Sequence, residues 1–335
     1  MTNMINYVDV IYGLAWGDEG KGKISNLIAK DYDYVCRWNG GPNAGHTVYI
    51  KGQKYKTHSV PCGIFQNKKS IIGPGCVLHI NKFFDELSYL AQSGFDISLV
   101  KVHPNAHIIT DEHIQRDLDE LKAKLGTTGQ GIGPCYSDKM LRCGVQAKKV
   151  MDKKWLWDGE LSGNVLCEGA QSVWLDIDHG DYPFVTSSNT MPYAACSLGF
   201  SPKKIRNLIG VAKIYDTKSG VDPLFPETLW QDETLNKIIE IGQEFGSTTG
   251  RKRLVNWLNL DKLIDSIKLS GCDMLVVNKC DVLEEVNKFK LYYKNELIQF
   301  NSLDEMKHFI ENVLANLELS IIFSGDKESA TLVQR

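Results

Sequence analysis

Short apolar runs alternate with amphipathic stretches along most of this chain. The runs predict strands at Val8–Tyr12, Tyr34–Trp38, Ser70–Ile72, Val165–Cys167, Leu208–Ile214, Met274–Val277 and Ser320–Phe323. Between them, helical spacing of apolar residues predicts helices at Lys23–Lys30, Lys82–Ser93, Asp111–Lys124, Leu235–Glu244, Leu260–Leu269 and Leu303–Ala315. Strands alternating with helices predict an α/β fold, a large, mostly parallel sheet flanked by helices. Two segments read instead as small β-hairpins: Val48–Val60, turning at Lys51-Gly52, and Lys288–Phe300, turning near Lys294-Asn295. No repeat, low-complexity tract or linker divides the chain, so residues 1–335 read as a single domain.

Composition narrows the function. The 335 residues are 43% hydrophobic, enough for a large core, and the net charge of −3 carries no basic signature for nucleic acid. No apolar run approaches the ~20 residues of a membrane span, and residues 1–6 do not look like a secretory signal. The nine cysteines are scattered and never form a C-x-x-C pair. That pattern fits reduced thiols in a cytoplasm better than disulfides or zinc.

Two polar segments at strand ends carry the strongest chemistry. Trp16-Gly17-Asp18-Glu19-Gly20-Lys21-Gly22-Lys23 lies between a predicted strand and a predicted helix. Such a turn lets backbone N–H groups and a lysine surround phosphate oxygens. It is a degenerate P-loop: Ala15 stands where the first glycine belongs, and Gly22 where the metal-binding hydroxyl belongs. Asp18 adds a carboxylate inside the turn. Beside a triphosphate it would be repelled without a cation between them, so it implies Mg²⁺, proton abstraction, or both. Asn278-Lys279-Cys280-Asp281 follows another apolar run. It reads as a guanine grip, with Asn278 bonding the ring and Asp281 accepting from N1–H and the 2-amino group. Phosphate at one end and guanine at the other point to GTP.

Five further segments fit substrate binding. Asn39 to Thr47 combines small residues with His46, a candidate general acid. Gly126 to Pro134 reads as a flexible loop with two hydroxyls, followed by a helical stretch, Ser137 to Arg142, whose arginine suits a phosphate. Glu168 to Gln171 and Val185 to Asn189 offer amide and hydroxyl groups for a heterocycle. Gly246 to Arg253 places Thr248, Thr249, Arg251 and Arg253 where a small diacid could be held. His103 and His107 have metal-like spacing, but Pro104 breaks any helix between them, so they are read as structural.

In their order, WGDEGKGK, GPNAGHT, GTTGQGIGP, EGAQ, VTSSN, STTGRKR and NKCD resemble the adenylosuccinate synthetase family, from about Asp9 to Asp326. The resemblance implies a P-loop-GTPase-like fold with a degenerate phosphate loop, a homodimer, and joining of L-aspartate to the 6-oxo position of inosine 5′-monophosphate with GTP and Mg²⁺. By position it implies Asp18 as general base and metal ligand, His46 as general acid, and Lys21 steadying the phosphates. Gly45 would lend its carbonyl to the metal. Asn43, Thr128, Gln171 and Thr186 would contact the purine monophosphate, and Arg142 would reach it from the neighbouring subunit. Thr249, Arg251 and Arg253 would hold aspartate. Gly17, Glu19, Gly20, Lys21, Gly22, Gly45 and Thr47 would line the triphosphate, and Lys279, Asp281, Ser324 and Gly325 the guanine.

Two departures bear on the substrate. The chain is short between Arg142 and Glu168, as in archaeal and bacteriophage forms of the family. Thr217 to Pro223 stands where the family usually reads T-R-V-G-A-G-P, beside the ribose. A bacteriophage branch takes 2′-deoxyguanylate, with ATP or GTP, and some of its members lose the turn aspartate. Asp18 and NKCD favour inosinate and GTP. A non-catalytic guanine-nucleotide module would need neither Asp18, His46 nor the two arginines.

Overall fold

The computed structural model describes residues 4–220, 229, 231–246, 250–325 and 328. Eight strands form the central sheet, numbered here in chain order: β1 (Ile5–Gly13), β2 (Tyr34–Arg37), β3 (Lys69–Ile72), β4 (Val100–Val102), β5 (Gly163–Ser172), β6 (Ile205–Lys213), β7 (Met274–Asn278) and β8 (Ser320–Phe323). Their order across the sheet is β8-β7-β6-β1-β5-β2-β3-β4. All the pairings between these strands are parallel, in line with the large, mostly parallel sheet that the sequence predicts.

Alternation along β1 builds the core. Val8, Val10 and Tyr12 join the largest cluster on one face, with Ile238, Trp257 and Leu263. Ile11 points the other way and meets Ile24 and Ile28 of the helix Lys21–Ile28, with Val35 and Leu166. The i, i+4 pair Ile24 and Ile28 is the stripe that seats that short helix on the sheet. The helix follows β1 after the turn between Gly13 and Lys21, with its N-terminus at the carboxyl end of the sheet. The loops after β1, β2, β5, β6, β7 and β8 gather at that same edge, where ligands of open parallel sheets bind.

Both predicted hairpins are present, at His46–Ile50 with Gln53–Thr57 and at Phe289–Tyr293 with Glu296–Phe300. Each turns on two left-handed residues: Lys51 and Gly52 (φ 50° and 78°), then Lys294 and Asn295 (φ 52° and 61°). The second hairpin extends a small sheet begun by Tyr215–Lys218 and Leu254–Asn259, strands the sequence pattern did not predict. The predicted helix Asp111–Lys124 is one rod containing a π turn, Asp117–Leu121. Among the described residues no helix is long and apolar enough to cross a membrane.

Candidate active site

The turn after β1 is wound from left-handed residues. Gly17, Asp18 and Gly20 have φ of 97°, 61° and 94°. A Cβ on Gly20 would stand 2.8 Å from Asn278 Nδ2, so this approach requires glycine. Gly22 is also forced, since its Cβ would meet the His46 side chain at 2.6 Å. No side chain caps the following helix, whose first N–H groups are left to the turn. Glu19 folds inward. Its carboxylate accepts from Gly17 N–H at 2.7 Å, Lys21 Nζ at 2.6 Å and Ser172 Oγ at 2.5 Å. Lys21, expected at the phosphates, is here buried and tied to Glu19. Its side chain and that of Glu19 brace the turn, leaving backbone groups to face a ligand.

His46 opens the first hairpin, above the helix Lys21–Ile28. Its Nδ1 lies 2.6 Å from Glu168 Oε1, inside the protein. Register explains the setting: Arg37 at the end of β2 is paired with Glu168 on β5. Arg37 Nη1 stands 3.7 Å from that carboxylate, and Ser25 Oγ and the Cys62 N–H donate to it. Burial alone would raise the Glu168 carboxyl, but His46, Arg37 and Ser25 outweigh it and hold it at about 2. Burial pushes His46 below its ordinary value, with Glu168 opposing. With Nδ1 committed to Glu168, Nε2 is the nitrogen left for a substrate. The sequence singled out His46. It gave Glu168 only a weak role and gave Arg37 none, because their meeting depends on strand register.

Asp18 is only partly covered, with 29% of its side chain exposed, and Arg253 Nη2 lies 2.8 Å from its Oδ2. The expected base and an expected aspartate-binding arginine are thus brought together in one ion pair. Arg253 is also bonded through Nη1 to Glu244, a wholly buried carboxylate. Arg251 is exposed on the same loop. Thr249, and the neighbouring Thr248, lie outside the described residues, as do residues 221–223.

The loop after β7 ties Asn278 to the turn after β1. Its Nδ2 donates to the Glu19 carbonyl at 2.8 Å and its Oδ1 faces Lys23 Nζ at 3.4 Å. Asn278 thereby staples the two loops together. Lys279, at φ 68°, precedes a helix, Cys280–Val286, that the sequence pattern did not show. Asp281 sits in its first turn, and its Oδ1 is buried without a hydrogen-bond partner. Ser324 lies beside it: Cys280 N–H donates to the Ser324 carbonyl, and the Ser324 Oγ accepts from Lys23 at 2.6 Å. Gly325 packs so closely that a Cβ would stand 2.9 Å from the Asp281 nitrogen.

On the other side of β1, Asn43 Oδ1 and Gln171 Oε1 are likewise buried and unpartnered. Gln171 takes φ 58° at the end of β5, which extends through the predicted Glu168–Gln171 motif to Ser172. The loop bearing Thr128 is pinned, contrary to the flexible reading. Asp117 accepts from Thr127 Oγ1 at 2.6 Å and from Gly131 N–H at 2.8 Å. The helix that follows runs from Ile132 to Leu141, so Ile132-Gly133-Pro134 already belongs to it. Arg142 ends that helix at φ 65° and is exposed beside the exposed Met140 and Leu141. Thr186 is half-buried, its N–H bonded to the Leu175 carbonyl at 2.8 Å. Gly45 and Thr47, on either side of His46, are also half-buried. His107 is buried at one end of its short strand, its Nδ1 without a hydrogen-bond partner.

Asp18 offers a partly exposed carboxylate, the kind of oxygen donor a hard divalent cation takes.

Comparison with known proteins agrees with this geometry. The adenylosuccinate synthetase family model matches residues 10–162 and 154–318. The chain is 40% identical to the adenylosuccinate synthetase of Phocaeicola vulgatus, over 84% of this chain and 80% of that one. It is 38% identical to that of Parabacteroides distasonis, over 92% and 87%. Among solved structures, it resembles fully ligated adenylosuccinate synthetase from Plasmodium falciparum, with a TM-score of 0.85, 26% identity, and 98% and 100% of the two chains covered. A succinoaminodeoxyadenylate synthetase of cyanophage S-2L, bound to dGMP and dATP, shares the fold with a TM-score of 0.75 at 18% identity, over 97% and 94%. The chain belongs to the adenylosuccinate synthetase family and is a carbon–nitrogen ligase of purine biosynthesis that binds GTP.

Proposed function

We propose that this chain, acting as one unit and as a homodimer, joins L-aspartate to C6 of inosine 5′-monophosphate, using GTP and Mg²⁺. The observation that carries this reading is the set of buried, unpartnered acceptors Asn43 Oδ1, Gln171 Oε1 and Asp281 Oδ1. A buried polar atom without a partner costs about 1–3 kcal/mol. These three atoms lie at positions the family uses for a nucleotide, although Arg37 Nε, Trp38 Nε1, His107 Nδ1 and Arg253 Nε are buried and unpartnered as well. Asn43 and Gln171 would meet the purine monophosphate, with Thr128 and Thr186. Asp281 would accept from guanine, with Lys279, Ser324 and Gly325 around it.

The residues divide the work. Asp18 takes the proton from purine N1, which makes O6 a nucleophile. O6 attacks the γ-phosphorus of GTP, and GDP leaves. His46, held by Glu168 at Nδ1, offers Nε2 to the transferring phosphoryl group as general acid. The 6-phosphoryl intermediate then accepts the aspartate amine at C6, and phosphate departs. Arg251 and Arg253, with Thr249, hold the aspartate carboxylates. For Arg253 to do so, the Asp18–Arg253 pair must open. The turn from Gly17 to Gly22, with Glu19 and Gly20 in it, and Thr47 line the triphosphate, with Lys21 released toward it. Mg²⁺, held by Asp18 and the Gly45 carbonyl, would offset charge on the phosphates. Arg142 would reach the purine phosphate of the partner's site. The nine free cysteines fit a reducing cytoplasm.

A phosphate-release assay with inosinate, aspartate and GTP tests this reading. Parallel reactions with deoxyguanylate and with ATP test the substrate and the donor. Release dependent on both inosinate and aspartate is expected. Preference for deoxyguanylate would replace the substrate and keep the reaction class.

A further inference from the structure

Glu244 closes the helix Glu233–Gly242 onto the loop that carries Arg251 and Arg253. It is fully buried, yet its carboxylate accepts from three donors, Lys213 Nζ at 2.9 and 3.0 Å, Tyr215 Oη at 2.7 Å and Arg253 Nη1, while its own N–H donates to the Ile239 carbonyl at 2.9 Å and completes the bend. The Arg253 N–H also donates to the Glu244 carbonyl at 3.0 Å, so the two residues form the base of the loop through side chain and backbone. Lys213 is buried at the end of β6 and bonds Thr217 Oγ1 at 2.9 Å as well.

The charges decide what this arrangement does. A lone Glu244–Arg253 pair would be neutral and would present no charge to a substrate. Lys213 adds a second cation to the same carboxylate. The three groups together keep one net positive charge, and its open end is Arg253 Nη2, now facing Asp18. Burying two cations against one carboxylate is costly unless an anion meets the outer one. We propose that Glu244 and Lys213 are positioning residues for the aspartate substrate: Glu244 fixes the Arg253 guanidinium, and Lys213 keeps it a net cation for a substrate carboxylate. This rests on the assignment of Arg253 to aspartate.

The test is steady-state kinetics with each substrate varied in turn. Glu244→Gln is expected to raise KM for aspartate about 10–100-fold, the worth of a charge-assisted contact, with the KM values for inosinate and GTP little changed. Lys213→Met is expected to act in the same direction, and it serves if Glu244→Gln does not fold. Tyr215→Phe removes a bond to the same carboxylate without touching Arg253 and should leave the aspartate KM alone. If it raises that KM as much as Glu244→Gln does, the role is merely structural and the proposal is overturned. Because Glu244 acts through Arg253, the double variant Glu244→Gln/Arg253→Gln should be no worse for aspartate than Arg253→Gln alone. Additive losses overturn the proposal. If Arg253→Gln itself leaves the aspartate KM unchanged, the underlying assignment fails. If it raises KM while Glu244→Gln and Lys213→Met do not, only the present inference fails.

Discussion

The His46 and Arg253 regions are built alike and end differently. Each rests on a buried glutamate that burial would raise and neighbouring basic and hydrogen-bonding groups hold at about 2, Glu168 on one side and Glu244 on the other. Glu168 spends its charge inside: its partners His46 and Arg37 are themselves buried. Glu244 passes charge outward, through Arg253, to the partly exposed Asp18. A buried pair keeps its geometry whatever binds. A pair at the surface can be exchanged for ligands. The first arrangement suits a general acid that must not move. The second suits a base and a carboxylate receptor that neutralise one another until metal and aspartate arrive.

The strongest way to break this comparison is to remove the proton-transfer group from each region. Asp18→Asn and His46→Asn keep shape and lose the function. Each should lower turnover ~10²–10⁴-fold in the phosphate-release assay. Asp18→Asn should lose more, since it also loses a metal ligand and the ion pair with Arg253. Circular dichroism should show both folded. Near-normal turnover in either would refute the division of labour.

The subunit-sharing reading is tested next. Arg142→Leu should weaken purine-monophosphate binding. Mixing it with Asp18→Asn should restore part of the activity, because a mixed dimer has one site with a sound Asp18 and a sound arginine from its neighbour. A stable monomer in sedimentation, with no recovery on mixing, would remove Arg142 from the site.

Arg251→Leu should raise the aspartate KM about 10–100-fold and leave the GTP KM nearly unchanged, a smaller effect than loss of the base. If the GTP KM moved instead, the exposed face of this loop would belong to the triphosphate.

Much of this was legible in the chain. Met274–Val277 is a continuous apolar run and Val8–Tyr12 is one but for Asp9, as suits strands buried on both faces. Both hairpins were marked by their turn residues. Leu254–Asn259 was hidden because a basic cluster precedes it and a helix follows at once. The helix Cys280–Val286 was hidden because it is short and starts inside a binding motif. The site residues that carry a motif, such as Asp18, His46 and Asp281, could be named from sequence. Arg37, Lys213, Glu244 and Asp117 could not, since each acts through a partner brought close only by register or by a loop's return. A lysine ending the apolar run Gly210–Ala212 was the one local sign of a buried charge.

The smallest effect on catalysis, and the sharpest test of the electrostatics, is expected at Asp216. This carboxylate is buried like Glu168 and Glu244 but has no ion pair among the described residues. Burial raises it to about 7, against the Asn259 N–H that donates to it at 2.8 Å. In the unfolded chain it would titrate near 3.8. Between those values the native state binds the extra proton, so this group's contribution to stability falls as pH rises from about 4 to 7 and is level above. A shift of this size corresponds to roughly 4 kcal/mol at most. Asp216→Asn keeps an acceptor for Asn259 and removes the titration. Its melting temperature should gain on the wild type as pH rises through that window, with turnover little altered. Equal slopes of melting temperature against pH in the two proteins would mean that Asp216 is ionised without penalty, and that the cations around Glu244 reach further than the contacts drawn here.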